Sequence, residues 1–396
     1  MSRVVIHFAR FGPYHLARIE SARAVLSAAG WDVVGLETGG SDHTYEWDDE
    51  AGPTAWRRVT VFPGEAVEDI PNGRMRDGVQ AALQKIQPDA VAIAGWGSVD
   101  ARACLDWCKR HGATAIVMSE TREADGQRVW WREWIKGRII RRFDAALVGA
   151  RSHRDYLLKL GFLGNRIMLG YNVVANDYFV EECLRVKTSE VRRVGKYFLA
   201  SNRFIERKNL TRLIDAYAQF SVTQPRTKNQ ESRNLWNLCL LGDGELKSDL
   251  INQCHDLGLK VVESSPWETK NQEQGTVFFP GFRQIDELPS FYAHAGCFVH
   301  PALEEPWGLV LNEAMACGLP ILSGSNVGAA EELMDDGVNG WKFDAENTEE
   351  IVVCLERIVG MSVEKRRAFG EASVRILEQR CPSEAFGQGL VEILNV

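Results

Sequence analysis

Apolar runs and amphipathic stretches alternate along this chain. "RVVIHFA" opens it as an unbroken apolar run rich in β-branched residues, the pattern of a strand buried on both faces. "RFGPYH" follows as a turn. In "LARIESARAVLSAAG", Leu16, Ile19, Ala22, Leu26 and Ala29 share one helical face and Gly30 stops the helix. "WDVVGLE" is the next strand. A strand, helix and strand of this length predict a parallel pair joined by a crossover helix.

The alternation continues. "MRDGVQAALQKIQ", "VDARACLDWCKRHG" and "SHRDYLLKLG" read as helices, and "DAVAIAG", "TAIVMSE", "DAALVGA" and "RIMLGYN" as strands. After the irregular "DYFVEECLRVKTSEVRRVG", a second series begins at "KYFLASN" and runs through "LWNLCLLG", "TVFFPG", "CFVHPA" and "PILSG" with helices between. The predicted architecture is α/β, with two doubly wound (Rossmann-like) domains facing across a cleft. The boundaries fall at 1–180, a linker at 181–196 and 197–381. The terminal stretch of about 382–396 is available to pack back on the first domain. Ligands of such sheets bind at the carboxyl ends of the strands.

Composition adds limits. Of 396 residues, 45% are hydrophobic and 25% charged, an ordinary globular balance. Apolar runs stay far below the roughly 20 residues of a membrane span, and the opening lacks the apolar core of a signal peptide, so a cytoplasmic location is expected. The net charge of −8 argues against general nucleic-acid affinity. Residues 1–190 hold 25 basic and 25 acidic side chains, so the excess acid lies beyond them and basic clusters before residue 190 gain weight. The nine cysteines include no C-x-x-C pair, and Cys104 and Cys108 alone do not make a zinc site. Reduced, structural thiols are expected throughout.

The candidate chemistry centres on "HPALEEPWGLVLNEAMACGLPILSG". Glu305 falls in a loop after a strand, Gly308 lets backbone approach a ligand, and a helix then begins whose free N–H groups can face an anion. Glu313 lies on that helix, so two carboxylates flank a phosphate-sized site, the pattern for a polyhydroxylated, phosphate-bearing ligand. Arg203 and Lys208 are the cations to meet a departing phosphate, with Arg207 between them. No D-x-D constellation stands at a strand end, and no metal is expected.

This segment resembles the E-x7-E signature of glycosyltransferase family 4, retaining nucleotide-sugar-dependent enzymes of the GT-B fold. "ASNRFIERKNLTRLIDAY" resembles the family's Arg-x4-Lys segment at Arg203 and Lys208. "LLGDGELKSDL" resembles its Gly-x-Gly turn at Gly242 and Gly244, and "VFFPGFR" its base-contacting loop at Gly281, Phe282 and Arg283. Ala329 and Ala330 depart from the family's "GG-x-P-E" loop. The resemblance implies that Arg203, Lys208 and Glu305 serve catalysis. It implies that Gly281, Phe282, Arg283, Gly308, Leu309, Val310 and Glu313 bind the donor, with Glu313 on the ribose hydroxyls. It further implies transfer from a nucleotide-diphosphate sugar, needing no other cofactor; the basic, tryptophan-bearing stretch 128–143 points the transfer to a glycan or lipid-linked acceptor in envelope or exopolysaccharide synthesis. A nucleotide-sugar epimerase and an inactive nucleotide-sugar-binding subunit stay open as alternatives.

The first domain departs further from the family. Its first strand–helix turn has Gly12 as its one glycine, followed by Pro13, and His15 either contacts a substrate or caps its helix. Ser119 and Glu120 stand where relatives carry His-Asp, which makes Glu120 a candidate acceptor or sugar contact. "RVWWREWIKGRIIRRF", residues 128–143, sets six cations against Glu133, and helical periodicity puts Trp131, Trp134, Ile135, Ile139 and Phe143 on one face. That pattern fits an anionic membrane surface, an anionic acceptor, or a helix packed on its own sheet with a wet basic rim.

Overall fold

A computed structural model of the protein describes residues 1–43, 47, 54–126, 128–189, 197–223, 235–268 and 275–395. The chain forms two compact units, residues 1–175 with 381–396, and residues 176–380.

In the first unit the strands are β1 (Ser2–Phe8), β2 (Trp31–Ser41), β3 (Arg57–Ala66), β4 (Ala90–Ala94), β5 (Thr114–Ser119), β6 (Ala145–Val148) and β7 (Ile167–Leu169). They form one parallel sheet in the order β3-β2-β1-β4-β5-β6-β7. The helices α1 (Pro13–Leu26), α2 (Asn72–Ile86), α3 (Val99–His111), α4 (Trp130–Ile140) and α5 (Arg151–Lys159) alternate with them. Val5, Val34, Val91 and Val117 of the strands meet Leu83, Cys104 and Leu157 of the helices in the core. On α1 the buried set is Pro13, Arg18, Ile19, Ala22 and Leu26; the helix stops before Ala29, which is exposed.

In the second unit the strands are β8 (Tyr197–Ser201), β9 (Asn237–Leu241), β10 (Lys260–Val262), β11 (Thr276–Gly281), β12 (Cys297–His300), β13 (Ile321–Gly324) and β14 (Gly340–Phe343). This sheet is also parallel, ordered β10-β11-β9-β8-β12-β13-β14. Its helices are α6 (Asn176–Ser189), α7 (Leu210–Thr223), α8 (Lys247–Asp256), α9 (Leu288–His294), α10 (Leu309–Ala316), α11 (Gly328–Leu333), α12 (Thr348–Gly360) and α13 (Val363–Arg380). The last helix, α14 (Ala385–Leu394), returns to the first unit and packs on α1, β6 and β7.

Three expectations are corrected. The stretch read as a linker from 181 is helical through Ser189, because α6 packs on α9 and α10 inside the second unit; residues 190–196 lie outside the described residues. The first boundary accordingly falls at 175/176. The thiols are not all free: Cys183 of α6 and Cys317, which ends α10, form a disulfide with Cα atoms 5.8 Å apart. The seven other cysteines are free and buried. Ile139 of α4 and Phe143 just beyond it pack on the core, while Trp131, Trp134 and Ile135 of α4 face outward. No helix among the described residues is long and apolar enough to cross a membrane.

Candidate functional site

The strand order changes direction between β8 and β12, and ligands of doubly wound sheets bind at the carboxyl ends flanking such a switch. Arg203, Arg207 and Lys208 follow β8, and Glu305 follows β12. The turn holding the cations is pinned from both sides. Leu303 N–H donates to the Arg207 carbonyl at 3.0 Å. Asn209, left-handed at φ 57°, spans the β12 and β14 loops by donating from Nδ2 to the carbonyls of Pro301 (3.1 Å) and Ala345 (2.7 Å). Gly242 and Gly244 fit the turn from below. A Cβ on Gly242 would stand 1.9 Å from the Asn202 carbonyl oxygen, and one on Gly244 would stand 2.7 Å from that of Phe204.

Lys208 Nζ donates to the Glu305 carboxylate, and Arg207 lies 3.7 Å from its other oxygen. Burial lowers the Lys208 pKa; Glu305 opposes that shift, while Arg207 and Arg203 add to it. Beneath the pair lies His300, fully buried, its Nε2 3.9 Å from Glu305. Burial first, then Lys208 and Arg207, hold its pKa well below the ordinary histidine value, so the ring is neutral. Both ring nitrogens lack a hydrogen-bond partner. The Glu305 backbone is fixed to the next loop: its N–H donates to Asn326 O, and its carbonyl accepts from Gly328 N–H, each at 3.1 Å.

Gly308 adopts φ 99° immediately before α10, and Leu309 and Val310 begin that helix half-buried. The first N–H groups of a helix have no acceptor behind them and point at whatever stands before it. Glu313, deeper in α10 and fully buried, accepts a 2.5 Å hydrogen bond from Tyr292 of α9. Arg283 follows Gly281 and Phe282 at the end of β11; its guanidinium is engaged by Glu287 (2.9 Å) and the Pro280 carbonyl (3.1 Å). The two ends of this edge differ in chemistry: charged at β8 and β12, with a glycine-ended strand and an aromatic residue at β11.

In the first unit, His15 caps its own helix. Its Nδ1 accepts from Gly12 N–H at 3.1 Å, and its ring lies 4.2 Å from that of Phe8. Burial, reinforced by Arg18, lowers its pKa to about 3, so the ring is neutral and, with Nδ1 accepting, its proton sits on Nε2. Glu120 follows β5 with a third of its side chain exposed, 3.5 Å from buried Arg18. Arg18 lies 4.2 Å over the Tyr171 ring and donates to Asn172 Oδ1 at 3.3 Å.

The structure brings Arg203, Lys208, Glu305 and Gly308 onto one sheet edge. The sequence does not single out Tyr292, Asn209, His300 or Arg18, which lie beside the candidate residues in the fold. Asn209 carried a readable signal, an asparagine directly after Lys208 where a turn must enter a helix. The other three belong to apolar-looking stretches and show their partners only in the fold.

Residues 187–375 match the family model described as glycosyl transferases group 1. The lipopolysaccharide core biosynthesis glycosyltransferase LpsE of Rhizobium meliloti is 31% identical over 161 residues, 41% of this chain and 38% of that protein. The O-antigen chain mannosyltransferase B of Escherichia coli is 26% identical over 188 residues, 47% of this chain and 44% of that one. The matched region is less than half the length of either relative. Among solved structures, Anabaena HepE in complex with UDP and glucose superposes over all of both chains with a TM-score of 0.69 at 16% identity. Sucrose-phosphate synthase from Thermosynechococcus elongatus gives 0.71 at 17%, covering all of this chain and 98% of that one. The chain thus shares its fold with solved glycosyltransferases of the GT-B type, and its second unit is similar in sequence to glycosyl transferases group 1.

Proposed function

We propose that this protein moves a sugar, with retention, from a nucleotide-diphosphate sugar to a glycan or lipid-linked acceptor of the cell envelope or an exopolysaccharide. In this reading it is a family-4 enzyme acting in the cytoplasm at the inner face of the membrane. The observation that carries the proposal is the meeting of Lys208 with Glu305 beside Arg207, at the switch point and next to the α10 N-terminus.

A departing nucleoside diphosphate concentrates negative charge on its terminal phosphate. Fixed cations and helix N–H groups aimed at that position stabilise the transition state more than the ground state. Lys208, Arg203 and the N–H groups of Leu309 and Val310 fill that role, so the reading is metal-independent. Glu305 takes the donor-sugar hydroxyls and faces the positive charge that develops at the anomeric carbon. The Lys208–Glu305 contact is then a resting arrangement: the phosphate draws Lys208 away, freeing the carboxylate for the sugar. Glu313, held by Tyr292, takes the ribose. Three strand intervals separate β11 from β12, roughly 14 Å, room for the nucleoside to reach Gly281, Phe282 and Arg283. Gly12, His15 and Glu120 supply acceptor or sugar contacts in the first unit.

The test is a panel of nucleotide sugars with and without acceptor glycans. Sugar transfer supports the proposal; an isomerised donor would make the protein an epimerase, and binding without turnover a donor-binding subunit. In the active system Lys208→Ala slows transfer by about 2–4 kcal/mol of barrier while donor affinity changes little. Unchanged kcat in that variant removes Lys208 from the chemistry.

A further inference from the structure

Five exposed large apolar side chains of the first unit fall in one short stretch, 129–135, while Met1, Leu158, Leu163 and Leu169 are exposed outside it. Trp130 is 81% exposed, Trp131 46%, Trp134 56% and Ile135 44%, and Val129 precedes them. All lie on the outer face of α4, whose other face buries Gly137 and Ile140 on the sheet. Three indoles left in water on one short helix cost solvation free energy unless something covers them.

The charges around them are predominantly basic. The Arg132 guanidinium stands 5.2 Å over the Trp131 ring and that of Arg138 4.8 Å over Trp134, and no carboxylate among the described residues pairs with either. The helix's one acid, Glu133, is taken up by Lys136 and the Tyr156 hydroxyl, at 2.8 and 2.7 Å. At the end of α4, Arg142 pairs with Asp106 of α3 and lines an open groove of about 770 Å³ along α2 and α3. Arg76, Arg102, Lys109 and Arg110 line the same groove with Asp106, and Lys109 is itself paired with Asp144 at 2.7 Å. A protein with a net charge of −8 thus carries a basic, tryptophan-bearing face on its first unit.

We propose that this face docks the protein on an anionic lipid bilayer, the indoles entering the interface and the arginines meeting headgroup phosphates. Tryptophan pairs an apolar body with a polar N–H and settles at the headgroup level, while each nearby cation adds attraction to an acidic leaflet. A soluble polyanion would engage the groove and leave the indoles in water; the bilayer satisfies both. The α4 N-terminus, with Trp130 and Trp131, follows the carboxyl edge of β5 that carries Glu120. Docking therefore brings the proposed acceptor contacts of this unit close to the lipid surface. The surface stands apart from the transfer reading and does not depend on it.

The test is sedimentation of the full chain with vesicles of phosphatidylcholine, alone or mixed with phosphatidylglycerol, at low and raised salt. The protein binds the mixed vesicles, and salt weakens binding. Quenching of its fluorescence by lipids brominated on the acyl chains reports indole insertion. Trp130→Ala/Trp131→Ala/Trp134→Ala loses the quenching, and Arg132→Glu/Arg138→Glu lowers vesicle affinity by about tenfold or more. Both sets change exposed side chains, and thermal unfolding identical to the unaltered protein confirms the fold. No binding to mixed vesicles, or binding that neither set alters, overturns the proposal. A concentration-dependent dimer lost in the tryptophan variant, without vesicle binding, would overturn it by giving the face to a second copy. The measurement uses no donor or acceptor, so a protein that binds vesicles but transfers nothing sinks only the transfer reading. One that transfers but ignores vesicles sinks this proposal and the inner-face location, and leaves the transfer reading standing.

Discussion

Single side chains set the protonation and hydrogen-bond state of the site. Tyr292 and Glu313 illustrate how a buried carboxyl group is held in place: it needs hydrogen-bond partners, and the phenol hydroxyl donates to it at 2.5 Å. Tyr292→Phe removes that donor while keeping the ring. Stability should fall by about 1–3 kcal/mol, and donor binding should weaken with kcat nearly unchanged. The shift of melting temperature on adding nucleoside diphosphate measures the second effect, and an undiminished shift would show that Tyr292 does not position Glu313. His15 makes a different prediction. Its folded pKa is lowered to about 3, chiefly by burial, whereas an unfolded histidine titrates near 6.5. The unfolded chain therefore takes up the proton first as acid is added. The stability linked to His15 is fully present above about pH 6.5 and drains away as pH falls from there towards 3. His7 and His300, also lowered chiefly by burial, act in the same direction. Denaturant unfolding measured across that range should show a slope that flattens in His15→Asn; an unchanged slope would mean the ring is not buried neutral.

At the scale of elements, the turn after β8 decides where the cations stand, and its shape comes from glycines in the turn that follows β9. Gly242, at φ 131°, has no room for a side chain against Asn202. In Gly242→Ala the added methyl group meets backbone, so the 202–204 segment must move and Arg203 with it. Stability should drop by about 1–3 kcal/mol, and kcat/KM should fall more than a purely structural loss explains at temperatures where the variant is still folded. Full activity in a folded Gly242→Ala protein would mean that Arg203's position does not matter. Such a contact explains what was legible in the sequence and what was not. The parallel strands read clearly because burial on both faces leaves unbroken apolar runs such as "LWNLCLLG". The Glu305–Glu313 spacing with Gly308 read clearly because loop, turn and helix follow one another along the chain. The α6 helix did not, because its charged residues mask the few side chains, Phe179 and Cys183 among them, that it buries. Nor did Arg18, whose partners Tyr171 and Asn172 lie far along the chain: an arginine between apolar positions looks like a solvent face until those partners arrive. The face of α4 was read with the wrong members. Helical periodicity groups residues around the axis, but only the sheet beneath decides that Ile139 turns inward and Trp130 outward.

Over the whole molecule, the first unit is completed by the last helix of the chain. The joint is close-packed: a Cβ on Gly387 would lie 2.4 Å from the Ser21 carbonyl oxygen of α1, and one on Gly389 would lie 2.5 Å from a Leu147 methyl of β6. Ser21 Oγ also accepts from Gly387 N–H at 3.1 Å. These contacts lie within the first unit, while the residues proposed to hold the donor belong to the second. A substitution at this joint therefore separates the two. Gly387→Val forces α14 away from α1, uncovering apolar surface such as Phe386 and Leu390. The unfolding transition of the first unit should move down by about 1–3 kcal/mol, and transfer should fall with it. The transition of the second unit should stay in place and still rise on adding nucleoside diphosphate, because ligand binding stabilises the folded form that binds it. Calorimetry with and without the nucleotide distinguishes the cases. If the nucleotide-dependent transition drops as far as the other, the second unit does not hold the donor on its own, and the division of labour drawn from the switch point of its sheet fails.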